Sequence, residues 1–273
     1  MTPTGTGELL ATGRTAEVYA WSNNQVLKLF FDWCPPEWIR REVDIGRRLA
    51  STSLPTPRLV DTVSLDGRQG IIFDRAVGPS MLSLLSTRPW LLSSIAHQFA
   101  ELHSAIHSNA APNLPPLRPY LFSSISKAEA LPSALKGRAL TSLASLPDGD
   151  SLCHFDFHPD QVAVTQQGPM ILDWMTAHQG HPLADVARTS VLIKFAQAPH
   201  ANWLMRIATN LVRKAFHDRY ITRYMRLHPE VTLHDLQRWI VPVAAARIGD
   251  NVPGEQEQIL AFLEGSHAQP MAA

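Results

Sequence analysis

Apolar and polar residues alternate with a period of two along the first part of the chain. In the stretch NQVLKLFF, the side chains of Val26, Lys28 and Phe30 point away from those of their odd-numbered neighbours if the backbone is extended. This pattern predicts a β-strand. The preceding stretch GELLATGRTAEVYAW indicates strand, glycine turn, strand, and a turn at Asp66–Gly67 separates two further strands. Between these strands, PPEWIRREVDIGRRLAS has the helical spacing of apolar residues that predicts one helix.

The pattern changes after residue 80. MLSLLSTRPWLLSSIAHQFAELHSAIHS predicts a helix interrupted near Pro89, and the proline-rich NAAPNLPPLRPYLF predicts a loop. One helix is expected through SSISKAEALPSALKGRALTSLASL, then two strands, then mainly helix from Leu183 with a loop near LHPEVTLHD. We therefore expect an α+β fold of two lobes. A small antiparallel β lobe with one helix spans 1–75, and a larger, mainly helical lobe spans 76–273.

Composition excludes several classes of protein. The chain has 273 residues, of which 45% are apolar and 18% charged, with 24 Lys+Arg balanced by 24 Asp+Glu. Such a balance predicts neither a broad nucleic-acid surface nor a basic membrane face. Two distant cysteines, Cys34 and Cys153, do not make a disulfide framework. With no signal-peptide pattern and no apolar run of membrane-spanning length, we expect a cytoplasmic protein that binds neither nucleic acid nor membrane.

Four charged residues stand at positions where a folded chain needs a reason for them. Lys28 lies on a strand after a glycine turn, Glu42 on the next helix, Asp156 before a strand and Asp173 at the end of the strand after it. Phosphoryl transfer supplies such a reason. A triphosphate needs a fixed cation, a divalent metal held by carboxylates, and a carboxylate near the attacking hydroxyl. The turn at residues 13–17 offers backbone N–H groups to the phosphates.

Several motifs resemble one family. HFDFHPDQ is similar to the catalytic loop H-G-D-x-H-x-x-N of the aminoglycoside phosphotransferases, ILDW to their metal-binding I-D-[WF], and GHPLADVAR to the G-x-P-x-x-D-L-A stretch that follows. GRTAEVYAW with VLKLF resembles their nucleotide loop and its lysine. The family includes choline kinases and has the protein-kinase-like fold. The resemblance covers nearly the whole chain.

The resemblance implies a role for each matching residue. Asp156 would be the catalytic aspartate, Asp173 and Gln161 would hold Mg²⁺, and Asp185 would hold the catalytic loop. ATP or GTP would be the donor and a small-molecule hydroxyl the acceptor. Residues implied to bind the nucleotide are those of the glycine turn, the lysine with its partner, and the strand that leads into the linker: Gly13, Arg14, Thr15, Lys28, Glu42, Phe73 and Arg75.

Two departures from the family pattern support an alternative. Gln161 replaces the asparagine that helps to hold the second metal, and Phe155 replaces the glycine after the first histidine of the loop. A catalytically impaired nucleotide-binding module on the same fold is therefore also open. The sequence also leaves open which acceptor is used, because the helical lobe carries basic and acidic residues in comparable number.

Structural interpretations of the same residues are also open. Lys28 and Glu42 could form a simple surface ion pair. His103 and His107, four residues apart on one helix, are expected to be packing or capping residues rather than metal ligands. Of the two loop histidines, His154 is expected to be a structural brace. The sequence gives no indication of oligomeric state.

Overall fold

The chain folds into two compact units. The computed structural model describes residues 5–22, 24–195, 203–252 and 254–265. One unit combines residues 1–86 with 159–176, and the other combines 87–158 with 177–273. The sequence-based division at residue 75 differs from this one, because residues 159–176 pack with the first unit although they follow the first part of the second unit along the chain.

An antiparallel five-stranded sheet forms most of the first unit, with the order β1-β2-β3-β5-β4. Buried apolar residues lie on both faces of the sheet. Leu27 and Leu29 pack with Tyr19 on one face, whereas Phe30 and Ile71 belong to a cluster on the other. The alternation in the sequence therefore marks a strand with two covered faces. The strands are β1 (Leu9–Thr12), β2 (Ala16–Ala20), β3 (Gln25–Phe30), β4 (Leu59–Leu65) and β5 (Arg68–Asp74).

Helix α1 (Pro36–Leu49) packs its apolar face on this unit. Its entry follows from local chemistry: Pro35 is extended, Pro36 takes the first helical position where no N–H is needed, and Glu37 lies in the first turn. Val43, which lies on the apolar face, joins the cluster of Phe30 and Ile71. Glu42 is also buried, and a buried carboxylate requires a partner.

A second, smaller antiparallel pair completes the first unit. β7 (Val162–Thr165) pairs with β8 (Gly168–Ile171). Backbone hydrogen bonds tie this pair to the rest of the unit. The Val164 N–H donates to the Pro79 carbonyl at 2.8 Å, and the Ile171 N–H donates to the Pro55 carbonyl at 2.7 Å.

Helices dominate the second unit. They surround a short antiparallel pair of strands, β6 (Ser151–Cys153) and β9 (His178–Gly180). Helix α2 (Met81–Thr87) lies almost entirely in the first unit, and a 3₁₀ turn (Pro89–Leu91) precedes the long helices of the second. The remaining described helices are α3 (Leu92–His107), α4 (Leu117–Lys127), α5 (Ser133–Ala144), α6 (Pro182–Phe195), α7 (Trp203–Leu227), α8 (Leu233–Ile248) and α9 (Gln256–Gly265).

The expectation of one helix through residues 123–146 is wrong. Helix α4 begins earlier, inside the stretch expected to be a loop, and α5 is a separate helix. Prolines explain both differences. Pro116 and Pro132 are extended residues immediately before α4 and α5, because proline cannot continue a helix but can precede one.

Candidate active site

Lys28 forms the centre of a charged cluster in the first unit. Its Nζ lies 2.7 Å from Glu42 Oε1 and 2.9 Å from Asp173 Oδ1. Burial by itself would lower the pKa of Lys28, but the carboxylates of Asp173 and Glu42 outweigh it and raise the pKa. The side chains of Lys28 and Glu42 are 12% and 4% exposed, whereas that of Asp173 is 38% exposed. The ammonium group therefore stays charged, and one of its two carboxylates faces solvent.

The β7–β8 pair brings two proposed metal ligands to one place. Gln161 directly precedes β7, in a 3₁₀ turn, and Asp173 follows β8 by two residues. The Leu172 N–H donates to the Gln161 carbonyl at 2.8 Å, so the two chain segments are adjacent here. Asp173 has a left-handed backbone with φ of +56°, which is uncommon for a residue other than glycine. Carboxylate and amide oxygens are hard donors, so these residues fit Mg²⁺.

The glycine turn between β1 and β2 is tight. The Gly13 N–H donates to the Ala16 carbonyl at 2.8 Å, and the Thr15 carbonyl accepts the Phe31 N–H at 3.0 Å. The Gly13 N–H is therefore already used within the turn. A Cβ at Gly13 would meet the Ala16 carbonyl at an ordinary 3.5 Å, so space alone does not require glycine here. Arg14, which lies between Gly13 and Thr15 in the turn, is exposed.

The strand that leads out of the sheet carries Phe73 and Arg75. Phe73 lies on β5, opposite Val26 of β3, and packs against the cluster of Phe30 and Ile71. The Arg75 N–H donates to the Asn24 carbonyl at 2.8 Å. The end of β5 is thus fixed to the sheet at the point where the linker begins.

In the second unit, Asp156 lies on the loop after β6. Its side chain is 28% exposed, and its backbone N–H donates to His154 Nδ1 at 3.3 Å. His158 Nε2 lies 3.8 Å from Asp156 Oδ2. His154 is fully buried. It therefore braces the loop from inside while Asp156 remains open to solvent.

Asp185, on α6, binds the backbone of the same loop. Its Oδ2 accepts the His154 N–H at 2.6 Å and its Oδ1 accepts the Phe155 N–H at 2.9 Å. The Nε2 atoms of His103 and His107 lie 3.2 and 3.3 Å from Oδ2. These histidines are therefore partners of a buried carboxylate, not merely packing or capping residues. Their i, i+4 spacing indicated that both histidines lie on one face of a helix, but only the fold shows that Asp185 of α6 faces them.

Phe155 turns its ring into the second unit. The residue is 1% exposed, with φ of +63°. Its ring makes an edge contact with Tyr120 and lies 5.2 Å below the Arg188 guanidinium. The bulky side chain at the position of the family's glycine is thus accommodated by burial, not placed beside the solvent-facing carboxylate of Asp156.

Sequence reasoning did not single out Arg188. It is buried on α6, and its Nη2 binds Asp250 Oδ2 at 2.6 Å. Burial would lower its pKa, but Asp250 first, then Tyr120 and Asp156, raise it. Arg188 therefore places a permanent positive charge beside the loop that carries Phe155 and Asp156. The PLADVAR motif contains this arginine, but the motif alone does not reveal its contact with Phe155.

The buried lysine with its two carboxylates, on a fold of a β-sheet unit and a helical unit, is typical of one class of protein, the kinase-like phosphotransferases. A family profile described as "Phosphotransferase enzyme family" matches residues 6–231. The chain belongs to this family, and its fold is the protein-kinase-like fold. No curated protein matches the chain.

Solved structures support the fold. An aminoglycoside-3'-phosphotransferase of type VIII is 15% identical, with a TM-score of 0.60 over 88% of this chain and 91% of the other. The amicoumacin kinase hAmiN, in complex with AMP-PNP, Ca²⁺ and Ami, is 14% identical, with a TM-score of 0.63 over 97% and 88%. Choline kinase from Cryptosporidium parvum Iowa II is 11% identical, with a TM-score of 0.58 over 96% and 88%. At such identities the likeness concerns the fold alone.

The described residues also bear on metal binding and on membrane insertion. One group of three potential metal ligands lies within 4.8 Å, namely His103, His107 and Asp185, all buried. Among the helices that the structure describes, none is long and apolar enough to cross a bilayer.

Proposed function

We propose that the chain is an ATP- and Mg²⁺-dependent phosphotransferase that transfers the γ-phosphoryl group to a hydroxyl of a small molecule. The observation that carries the proposal is the cluster in which Lys28 contacts both buried Glu42 and partly exposed Asp173. A cation fixed by one carboxylate, beside a second carboxylate that faces solvent, suits a metal-bound triphosphate.

Each residue of the cluster has a separate task. Lys28 binds the α and β phosphates, and Glu42 fixes its ammonium group. Asp173 and Gln161 are the residues that would hold Mg²⁺ through oxygen atoms. Bound to the triphosphate, the metal supplies charge neutralisation. The Gly13–Thr15 turn covers the phosphates, and the Gly13 N–H is already bonded within the turn.

The adenine would meet the end of β5. Because the Arg75 N–H already donates to Asn24, a hydrogen bond from this residue to a base would come from its carbonyl oxygen. Phe73 packs beneath the strand and gives it rigidity. The hydrogen-bonding groups at the end of β5 would also determine whether the base is adenine or guanine.

Asp156 acts on the acceptor. Its carboxylate orients the acceptor hydroxyl and takes its proton, while the hydroxyl oxygen forms a bond to the γ-phosphorus and the bond to the ADP oxygen breaks. Asp185 and His154 position Asp156 through the loop backbone. Such catalysis works by positioning and charge neutralisation, and it needs no covalent intermediate on the protein.

The proposed acceptor of the phosphoryl group is a small molecule. Solved structures with a similar fold include a gentamicin complex of APH(2")-IIa, an Ami complex of amicoumacin kinase hAmiN and a choline kinase, which supports a small-molecule hydroxyl as acceptor. The balanced charge of the chain does not favour a polycation over other acceptors. Cys34 and Cys153 are free and buried, which is compatible with a cytoplasmic location.

Thermal unfolding with ATP or GTP, with and without Mg²⁺, tests the proposal. At a nucleotide concentration a hundred times Kd, we expect a Tm rise of roughly 5–10 °C for the unmodified protein with Mg²⁺. Asp173→Asn should abolish the magnesium-dependent part. Asp156→Asn is the matched control, because it should keep the Tm rise and lose phosphoryl transfer. No rise with either nucleotide would reject the proposal.

The catalytically impaired module is a second candidate, favoured by Gln161. Glutamine keeps the amide oxygen but is one methylene longer than asparagine. On this alternative, Gln161→Asn raises Mg²⁺-ATP turnover by more than about tenfold from a very low base. Ready turnover by the unmodified protein would reject the alternative. Phe155 no longer supports it, since the ring is buried within the second unit.

A further inference from the structure

A buried set of hydrogen bonds surrounds Asp185 in the second unit. Helix α3 contributes His103 and His107, and helix α7 contributes Tyr220 and Tyr224. His103 Nδ1 lies 2.7 Å from Tyr220 Oη, and His107 Nδ1 lies 2.7 Å from Tyr224 Oη. Both pairs span the same sequence separation, so the two helices present their i, i+4 faces in matched register. None of the five residues is more than 6% exposed.

The tyrosines determine which histidine nitrogen carries the proton. Burial raises the pKa of both tyrosine hydroxyls, so each remains an O–H donor. Burial also lowers the pKa of both histidines, that of His107 to about 4, so at neutral pH both rings are uncharged. A neutral imidazole has one acceptor and one donor nitrogen. Because ionised Asp185 can only accept, His107 Nε2 carries the hydrogen, and His107 Nδ1 accepts from the Tyr224 hydroxyl.

Asp185 needs these donors because it is a fully buried carboxylate. His107 Nε2 donates to its Oδ2 at 3.3 Å, whereas His103 Nε2 lies 3.2 Å from the same oxygen without a hydrogen bond. The histidines lower the pKa of Asp185 against the effect of burial, and the side chain therefore stays ionised. A buried carboxylate without hydrogen bonds would be strongly unfavourable or would become protonated. A protonated Asp185 could no longer accept on both oxygens from the loop.

The loop that Asp185 holds is under backbone strain. Phe155, directly before Asp156, has φ of +63°. A bulky residue in the left-handed region persists only where surrounding contacts impose it. The bonds from the His154 and Phe155 N–H groups to Asp185, at 2.6 and 2.9 Å, are such contacts. The position of Asp156 therefore depends on the charge and orientation of Asp185.

We propose that Tyr224, acting through His107, and Tyr220, which holds the adjacent His103 ring, are positioning residues that orient the buried Asp185 carboxylate and thereby place Asp156 for catalysis. The inference rests on the proposed function only for its catalytic part. The hydrogen-bond order from Tyr224 to His107, Asp185 and the loop stands on the geometry of the second unit. Helix α7, which contributes no residue that binds the nucleotide or metal, becomes coupled to the catalytic loop.

The double variant Tyr220→Phe/Tyr224→Phe tests the proposal, because either tyrosine alone leaves one histidine oriented. Without the hydroxyls, each imidazole is free to place its hydrogen on Nδ1 and turn a lone pair towards Asp185. We expect kcat for Mg²⁺-ATP turnover, with water as acceptor, to fall by about tenfold to a hundredfold. KM for ATP should stay within about twofold, because the nucleotide residues are unchanged.

Hydrogen exchange of backbone amides gives a readout that does not depend on activity. In the double variant, the peptide of residues 152–158 should exchange at least about tenfold faster, while peptides of α6 and of the β1–β5 sheet keep their rates. Tyr19→Phe, which removes a buried tyrosine hydroxyl from the first unit, is the matched control and should leave the loop unchanged. Failure of the unmodified protein to bind or turn over nucleotide would reject the proposed function without affecting this readout.

Three outcomes would overturn the proposal. Unchanged kcat with unchanged exchange of the loop would show that the tyrosines do not position it. A uniform rise in exchange over the second unit would show a general structural role. A stoichiometric transition metal in the purified protein, with loss of stability on chelation, would make His103, His107 and Asp185 metal ligands instead of hydrogen-bond partners.

Discussion

Lys28 contacts two carboxylates in the first unit, and the two differ in their exposure to solvent. Its buried partner Glu42 has few other ways to satisfy its charge, whereas Asp173 is partly solvated. Removing one member of a buried pair leaves the other charge uncompensated, while replacing both is often nearly neutral. Removal of the Lys28 ammonium group would therefore leave the buried Glu42 carboxylate without compensation, whereas the Asp173 carboxylate would keep its contact with solvent.

A pair of variants separates stability from binding at this position. Lys28→Met should lower the free energy of unfolding by about 3–5 kcal/mol, and Lys28→Met/Glu42→Gln should recover most of that loss. Both proteins should lack the Mg²⁺-ATP rise in Tm. Denaturant unfolding measures the first effect and thermal shift the second. A single variant that keeps the nucleotide effect would remove Lys28 from the proposed site.

Phe155 is the residue that most departs from expectation at its position. Glycine would adopt its φ without strain, which favours Phe155→Gly, but the buried ring and its contact with Arg188 would be lost. The second effect is larger, so we expect the free energy of unfolding to fall by about 2–4 kcal/mol. A variant more stable than the unmodified protein, in a urea titration, would contradict this balance.

Residue types and their order along the chain were enough to propose Lys28, Glu42, Asp156 and Asp173, because each acid or base stands at the end or on the face of a predicted element. Contacts between distant helices were not predictable in this way. His103 and Tyr220 are far apart in sequence, and no local pattern tells which buried ring meets which. Arg188 was missed for the same reason, since its partner Asp250 lies beyond two further helices.

At the scale of elements, local periodicity predicted the five strands and α1, because alternation and helical spacing are local properties. The prediction from periodicity failed where a proline determines the start of a helix. Apolar residues recur at helical spacing through 123–146, but α4 ends at Lys127 and Pro132 directly precedes α5. The return of β7 and β8 to the first unit was also beyond local pattern, since it depends on backbone pairing with the segments around Pro55 and Pro79.

A glycine controls that pairing. A Cβ at Gly78 would lie 2.0 Å from the Val164 carbonyl oxygen, an impossible separation from a backbone atom. Gly78→Ala should displace β7, lower the free energy of unfolding by about 1–3 kcal/mol, and weaken the Mg²⁺-ATP rise in Tm because Gln161 precedes β7.

The chain offers a matched control for this substitution. Gly137 is exposed on α5, and nothing lies within 4 Å of a Cβ placed there. Gly137→Ala should stabilise the protein by about 0.5–1 kcal/mol and leave the nucleotide effect unchanged. Equal thermal shifts for the two variants would show that the close approach of Gly78 to β7 has no bearing on the site.

At the scale of the whole molecule, buried neutral histidines make stability depend on acid. The pKa of His107 falls to about 4 in the folded protein, and burial also lowers those of His103, His181 and His217. Above about pH 6.5 these histidines are neutral in both states and contribute no pH dependence. Between about pH 6.5 and 4 the unfolded chain binds more protons, so stability is lost as pH falls.

We therefore expect the free energy of unfolding to decrease on acidification, with His107 alone contributing about 3 kcal/mol by pH 4. Urea titrations at half-unit pH steps measure the slope. His107→Gln should flatten the slope by one proton, although it also lowers stability at neutral pH. His97→Gln, an exposed position on the same helix, is the control and should leave the slope unchanged.

The interleaving of the two units along the chain has a consequence for the order of synthesis. Met175 packs against the cluster of Phe30, Val43 and Ile71, so the first unit lacks part of its core until residues 159–176 have been made. Ribosomes add roughly 5–20 residues per second, which leaves the core of the first unit incomplete for several seconds. A chain ending at residue 158 should therefore expose the β3–β5 region to protease, whereas one ending at residue 176 should protect it. The first unit can therefore finish folding only after residues 87–158 of the second unit have been translated.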